Sequence, residues 1–159
     1  MAQDLWKNRY RLGVGVVLLS PQNQIFVAER LDSSGAWQMP QGGVDSGEEL
    51  LDAMYRELEE ETSIPHHAID VVKESQGYHS YDFPDHLRHK IMRGKFQGQK
   101  QKWYLARFMG SESLINVQTR IPEFSRWRWS DPASVPLLIV PFKEQLYRAI
   151  LSEFDLLAS

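Results

Sequence analysis

The 159-residue chain contains no cysteine, which excludes a disulfide framework and any thiolate metal site. That lack suits a reducing cytoplasm. No apolar run is long enough to cross a bilayer. The longest lies near Val14 to Leu19, well short of the roughly 20 residues a spanning helix needs. The N-terminal MAQDLWKNRYR has no apolar core of the kind a secretory signal carries, so none is expected. Internal repeats and low-complexity tracts are absent as well. One further absence is local: between Arg88 and Arg107 there are seven Lys or Arg residues and no Asp or Glu.

What is present fits one domain spanning residues 1–159, with 42% hydrophobic residues to build a core. The net charge of −3 is unevenly spread. Acids concentrate around residues 48–61, and cations in the stretch that ends at Arg107. A cationic segment facing a carboxylate–metal centre would grip a polyanion. Lys100 and Lys102 are its candidates for phosphate contact.

Hydrophobic periodicity predicts strands at Arg11–Leu19 and Gln24–Arg30, separated by a turn at Pro21-Gln22-Asn23. Further strands are expected over 69–76, 78–83, 102–109 and 125–129. Pro84 to Gln99 reads as a long polar connection with some helix at 86–93. Phe142 to Phe154 reads as a helix with Phe142, Leu146, Ile150 and Leu151 inward. This order implies a mixed sheet between helical layers. The five tryptophans, Trp6 among them, are read chiefly as core.

Gly42 to Ile64 is the most informative stretch. A helix is predicted from Ser46 to about Ser63, with Ser46 as N-cap and Glu49 closing a capping box. Pro65 stops it, because the residue before a proline leaves the α region. At 100° per residue, Leu50, Met54, Leu58, Leu51 and Tyr55 span about 140° of one face. Glu60, Glu57 and Glu61 fall near ~280°, ~340° and ~20° on the same wheel. Glu61 thus projects between Leu50 and Met54, onto the apolar arc. A buried, unpaired carboxylate is costly or takes up a proton. Three acids spaced i, i+3, i+4 suit a hard divalent cation that takes oxygen ligands.

The same stretch reads Gly, five residues, Glu, seven residues, then Arg-Glu-apolar-any-Glu-Glu-any-Gly-apolar. It is filled by Gly42, Glu48, Arg56, Glu57, Leu58, Glu60, Glu61 and Ile64, with Ser63 in place of the last glycine. It resembles the Nudix box of hydrolases that cleave a nucleoside diphosphate linked to another group. Trp37 to Gly43, Tyr81-Asp82-Phe83-Pro84, Gly98 to Trp103, Pro122-Glu123-Phe124 and Trp127-Arg128-Trp129 follow in the order of one branch. That branch holds the bacterial RNA pyrophosphohydrolases and the asymmetric dinucleoside tetraphosphate hydrolases.

The resemblance implies an α/β fold, the Nudix αβα sandwich with a mixed β-sheet, and Mg²⁺ as cofactor with Mn²⁺ able to substitute. It implies metal binding by Glu57, Glu60 and Glu61 with the Gly42 carbonyl. Arg56 joins these acids in the catalytic set, and Glu123 matches a family glutamate that holds metal or activates water. The general base stays open between a box carboxylate and Glu123. Arg11, Arg30 and Lys143 match positions that approach phosphates or base, and Gln41, Tyr81 and Lys102 belong to motifs of the same surface. Phe142 fits either a base-stacking ring or the apolar face of the last helix. The implied partners are RNA 5′ ends or nucleoside polyphosphates, with no membrane and no protein partner deducible. RNA 5′-triphosphate ends are the leading substrate, dinucleoside polyphosphates of the Ap4A type the second. A non-catalytic nucleotide-binding or RNA-binding module is the alternative of another class.

Overall fold

The centre of the sheet is a parallel pair, β1 (Tyr10–Leu19) and β7 (Gly98–Phe108), joined in register from Tyr10 opposite Gly98 to Leu19 opposite Arg107. The computed structural model describes residues 9–158; Trp6 and most of the N-terminal stretch read above lie outside the described residues. Every other pairing is antiparallel, which makes the sheet mixed. β2 (Ile25–Arg30) turns back from β1 through a tight turn at Asn23, and carries β3 (Trp37–Gln38) and β8 (Phe124–Ser130). The outer neighbours of the central pair change along its length. β4 (Gln41–Gly43) lies beside residues 13–15 of β1. β6 (His79–Asp82) flanks the first half of β7, and β5 (Ile69–Glu74) the second.

Helices cover both faces. Val14, Val16, Leu18, Phe26, Ala28, Tyr104, Ala106 and Phe108 meet α1 (Leu50–Thr62) through Ala53, Met54 and Leu58. Val17, Leu19, Ile25, Val27, Trp103 and Leu105 meet α2 (Val135–Leu138) and α3 (Glu144–Glu153) through Val135, Leu146, Tyr147, Ile150 and Leu151. Strand alternation sends successive residues of β1 and β7 to opposite layers, so the central pair is buried from both sides. The result is an αβα sandwich. Among the described residues no helix is long and apolar enough to cross a membrane.

Several expected boundaries shift. α1 begins at Leu50, with Glu49 at the cap and no side-chain cap bond, so the capping box on Ser46 does not form. The neighbouring Glu48 turns back to the Asp45 N–H and to Arg56, and residues 45–49 make a turn instead. Leu51 lies exposed on the first turn of α1, while Ala53 takes a core place. Ser63 ends α1 with φ of 68°, the left-handed region its glycine-like position demands, and its hydroxyl donates to Asn116 O. The last helix starts at Glu144. Phe142 sits before it in a 3-10 turn over Pro141–Lys143, exposed rather than inward.

Candidate active site

α1 lies against β4 because Gly42 leaves room for it. A Cβ at Gly42 would collide with the Glu57 carboxylate. Glycine here lets an acid on the helix rest directly on strand backbone. Arg56 fixes the same junction. Its guanidinium donates to both Glu48 oxygens at 2.8 and 2.9 Å, to Glu57 at 2.9 Å, to Glu60 at 3.2 Å and to the Gly43 carbonyl at 2.9 Å. A planar, five-donor fork suits this task, and an ammonium does not. Arg56 holds the Glu48 carboxyl down at about 2. Glu57 goes the other way: burial raises its pKa and outweighs the guanidinium.

Glu61 is the most strained acid. It is 4% exposed, and neither carboxylate oxygen has a hydrogen-bond partner of good geometry. Burial raises its pKa well above the ordinary range, and the charges of Glu123 and Glu57 add to the rise; the Gln41 backbone offsets it only weakly. Glu123 reaches this point from the other side of the sheet edge, held by its carbonyl, which accepts the Leu31 N–H at 2.9 Å.

Three box acids do not close into one ligand set. Glu60 is 59% exposed at its side chain and leans on Arg56, as Glu57 does. Among the described residues no group of three or more His, Asp or Glu is arranged to hold a metal ion. Nevertheless, the donor chemistry fits a divalent cation. Both oxygens of Glu61 are buried and unpartnered, two further carboxylates face them, and every atom offered is a hard oxygen.

A cavity of about 850 Å³ opens beside this acidic edge. Arg11 of β1, Arg30 of β2, Gln41 of β4, Tyr81 of β6, Gln99 of β7, Glu123, Phe142 and Lys143 line it. Arg30 forks onto Asp32 at 2.7 and 2.6 Å and onto Gln38 at 2.8 Å. Lys143 lies 5.2 Å over the Tyr81 ring. Its burial, with the Arg30 charge nearby, lowers its pKa to about 8. Burial raises the Tyr81 hydroxyl, which keeps it neutral. Phe142 tilts against Tyr81 with ring centroids 6.1 Å apart. The cations Arg11, Arg30 and Lys143 thus share a cavity with Glu123, which also acts on the buried Glu61: a seat for a polyanion beside a candidate cation site.

Lys102 does not line this cavity. It points to the α1 layer with Val14, its cross-strand partner, and its ammonium lies 3.9 Å from Glu74. Lys100 shares that side and sits over the Tyr78 ring. Among the described residues none of the seven cations from Arg88 to Arg107 lines the cavity. For Lys100 and Lys102, alternation along β7 is the reason, because it turns Gln99 and Gln101 inward and these lysines away. Gln99 is a lining residue that the sequence reading passed over, and the same alternation could have found it.

The sequence pattern described as NUDIX domain matches residues 9–150. The chain is 49% identical over 146 residues to a protein of Sphingopyxis alaskensis named RNA pyrophosphohydrolase, covering 91% of this chain and 92% of that one. A protein of the same name from Pelagibacter ubique is 48% identical over 141 residues, covering 88% of each. In three dimensions the chain resembles the C. elegans Ap4A hydrolase in a binary complex, with a TM-score of 0.64 and 16% identity over 90% of this chain and 98% of that one. It also resembles the E. coli dihydroneopterin triphosphate pyrophosphohydrolase, with a TM-score of 0.67 and 20% identity over 91% and 99%. Likeness at these identities shows the fold.

Proposed function

The chain belongs to the Nudix family, and from that premise we propose that it is a pyrophosphohydrolase that converts RNA 5′-triphosphate ends to 5′-monophosphates. The observation that carries this reading is the meeting of two charge sets at Glu123: it lines one cavity with Arg11, Arg30 and Lys143, and it also acts on the buried Glu61 of the box helix. A nucleotide-binding module would have no use for a carboxylate buried at such cost. Names of the relatives at 49% and 48% identity support RNA as the substrate. Ap4A is supported by the shared branch motifs and by fold likeness, but by neither of these relatives' names.

Glu57 and Glu61 with the Gly42 carbonyl, joined by Glu60 on release from Arg56, would hold Mg²⁺, or Mn²⁺ in its place. Such a cation supplies charge neutralisation at the phosphates and lowers the pKa of a bound water. Arg11, Arg30 and Lys143 bind phosphate oxygens and orient the chain. Arg30 exchanges the Asp32 carboxylate for phosphate. Gln41 donates to the chain from β4, while Tyr81 and Phe142 wall off water beside it. Water adds to phosphorus as the anhydride bond breaks, and the leaving phosphate oxygen keeps the bond's electron pair. A carboxylate, Glu123 or one of the box acids, takes the proton that the water loses. Arg56 acts as a positioning residue, since it holds Glu57 and Glu60 rather than substrate. A cytoplasmic location accords with this substrate and with a chain without cysteine.

Turnover of triphosphorylated RNA and of Ap4A, compared side by side as kcat/KM with Mg²⁺, tests the proposal. RNA should be the better substrate and should end as a 5′-monophosphate. Faster cleavage of Ap4A would replace RNA with the dinucleotide. Binding without turnover of either would mark a binding module.

A further inference from the structure

The amide side chains on one wall of the cavity form a chain with a single sense. Trp103, fully buried on β7, donates its indole N–H to Gln101 Oε1 at 3.1 Å. An indole nitrogen can only donate, so the Gln101 oxygen is fixed as the acceptor and its NH2 group as the donor. That NH2 group donates to Gln41 Oε1 at 2.6 Å and to Gln99 Oε1 at 3.0 Å. Both glutamines line the cavity. Their carbonyls are committed inward, and the NH2 end of each is what remains for the cavity.

The sense is not set by shape. A flipped amide has nearly the same outline, and packing cannot choose between the two orientations. The indole donor breaks the tie. β1 makes room for it: Gly15 stands opposite Trp103, and a Cβ there would lie 2.5 Å from the indole ring. On the same face of β1, Gly13 is required by the Gly42 carbonyl, 2.9 Å from where its Cβ would lie, and sits in ordinary contact with the Gln101 and Gln99 side chains.

We infer that Trp103 and Gln101 are positioning residues that fix the sense of the Gln41 and Gln99 amides, so that this wall offers N–H donors and selects the acceptor-only oxygens of a polyphosphate. The inference rests on the proposed function only in taking the cavity as the substrate's seat. With the opposite sense, carbonyl oxygens would face phosphate oxygens, acceptor against acceptor. The relay thus makes two neutral side chains act with Arg11, Arg30 and Lys143.

Two measurements test it. The first is hydrogen exchange of side-chain amides, read by NMR in the native protein. The Gln101 NH2 should exchange slowly, and those of Gln41 and Gln99 quickly until a ligand covers them. Fast exchange at Gln101 with protection at the other two would overturn the relay. The second is the Kd of a methylene-bridged, non-hydrolysable triphosphate dinucleotide with Mg²⁺. Trp103→Phe and Gln101→Met should each weaken it by about 2- to 10-fold, the range of one or two hydrogen bonds. The double variant should bind no worse than Gln101→Met alone, because the indole acts through Gln101. Additive losses would mean that Trp103 acts by packing and would refute the relay. Exchange needs only the native chain, so it decides the question if Trp103→Phe does not fold. The expected exchange pattern in a protein that binds no triphosphate would uphold the relay and count against the proposed function.

Discussion

At the scale of single residues, charge burial connects stability to function. Both oxygens of Glu61 lack a well-placed donor, and the neighbouring acids Glu57 and Glu123 raise the cost. Glu61→Gln should therefore raise the Tm of the protein in EDTA by a few degrees, on the scale of about 2–4 °C per kcal/mol for a domain this size. Mg²⁺-dependent turnover should fall by at least about 100-fold, as expected when charge stabilisation in a site is lost. Thermal unfolding without metal checks the first part, and a lower Tm would show that the acid is better compensated than its contacts indicate. Lys143 presents the opposite case. Its pKa is about 8 folded against an ordinary 10.5. The unfolded chain therefore binds more protons between those values, and stability rises with pH across that window. Lys143→Met should stabilise the protein below pH 8, by up to about 3 kcal/mol, with the gain gone by about pH 10.5. In the native enzyme kcat/KM for triphosphorylated RNA should fall above about pH 8 as the ammonium is lost, whereas the variant starts low and stays flat. A native profile level through pH 9 would remove Lys143 from the phosphate grip. Glu61 was legible in the sequence because helical projection places it on an apolar arc, and burial follows from that arc. The lowered pKa of Lys143 was not, since it comes from burial around a 3-10 turn and from the Arg30 charge beside it.

At the scale of elements, the junction of α1 with β4 decides where the acids point. Arg56 makes five hydrogen bonds there, two of them to one carboxylate. Arg56→Lys keeps the charge and loses the fork. It should cost about 1–3 kcal/mol in urea unfolding and lower kcat more than it raises KM, because Glu57 and Glu60 lose their placement. Stability within ~0.5 kcal/mol of native, the usual range for surface changes, would show the fork to be ornamental. The same junction explains which elements could be read from the chain. β1 and the body of α1 carry their own periodicity. The start of α1 was misplaced because Ser46 and Glu49 satisfy a local capping rule, while Glu48 is drawn eight residues away to Arg56. Local preference yields there to an ion pair that brings strand and helix together. β3 and β4 escaped notice for another reason. Strands of two and three residues have no period, and their form comes from pairing with β2 and β1.

At the scale of the whole molecule, the two faces of the sheet carry charge differently. The cavity face holds Arg11, Arg30 and Lys143 together around one space. The α1 face carries Lys100 and Lys102, one over an aromatic ring and the other beside Glu74. A count of charges along the chain makes the 88–107 segment look like the grip, because counting cannot see alternation. Among the described residues, β7 and the loop before it then distribute the seven cations so that none lines the cavity. Salt dependence tells the two sets apart. Each phosphate contact to a single strand contributes a slope of about 0.7 in log affinity against log salt. Lys143→Met should raise the KM for triphosphorylated dinucleotide and flatten its salt slope by about one such contact. The double variant Lys100→Met/Lys102→Met should leave both quantities within about twofold, since half-buried lysines held by a ring or an acid on the far face do not reach the cavity. KM measured from low to moderate salt, with free Mg²⁺ held constant, makes the comparison. If the double variant flattens the slope and Lys143→Met does not, the polyphosphate is held from the α1 face, and the cavity is not its seat.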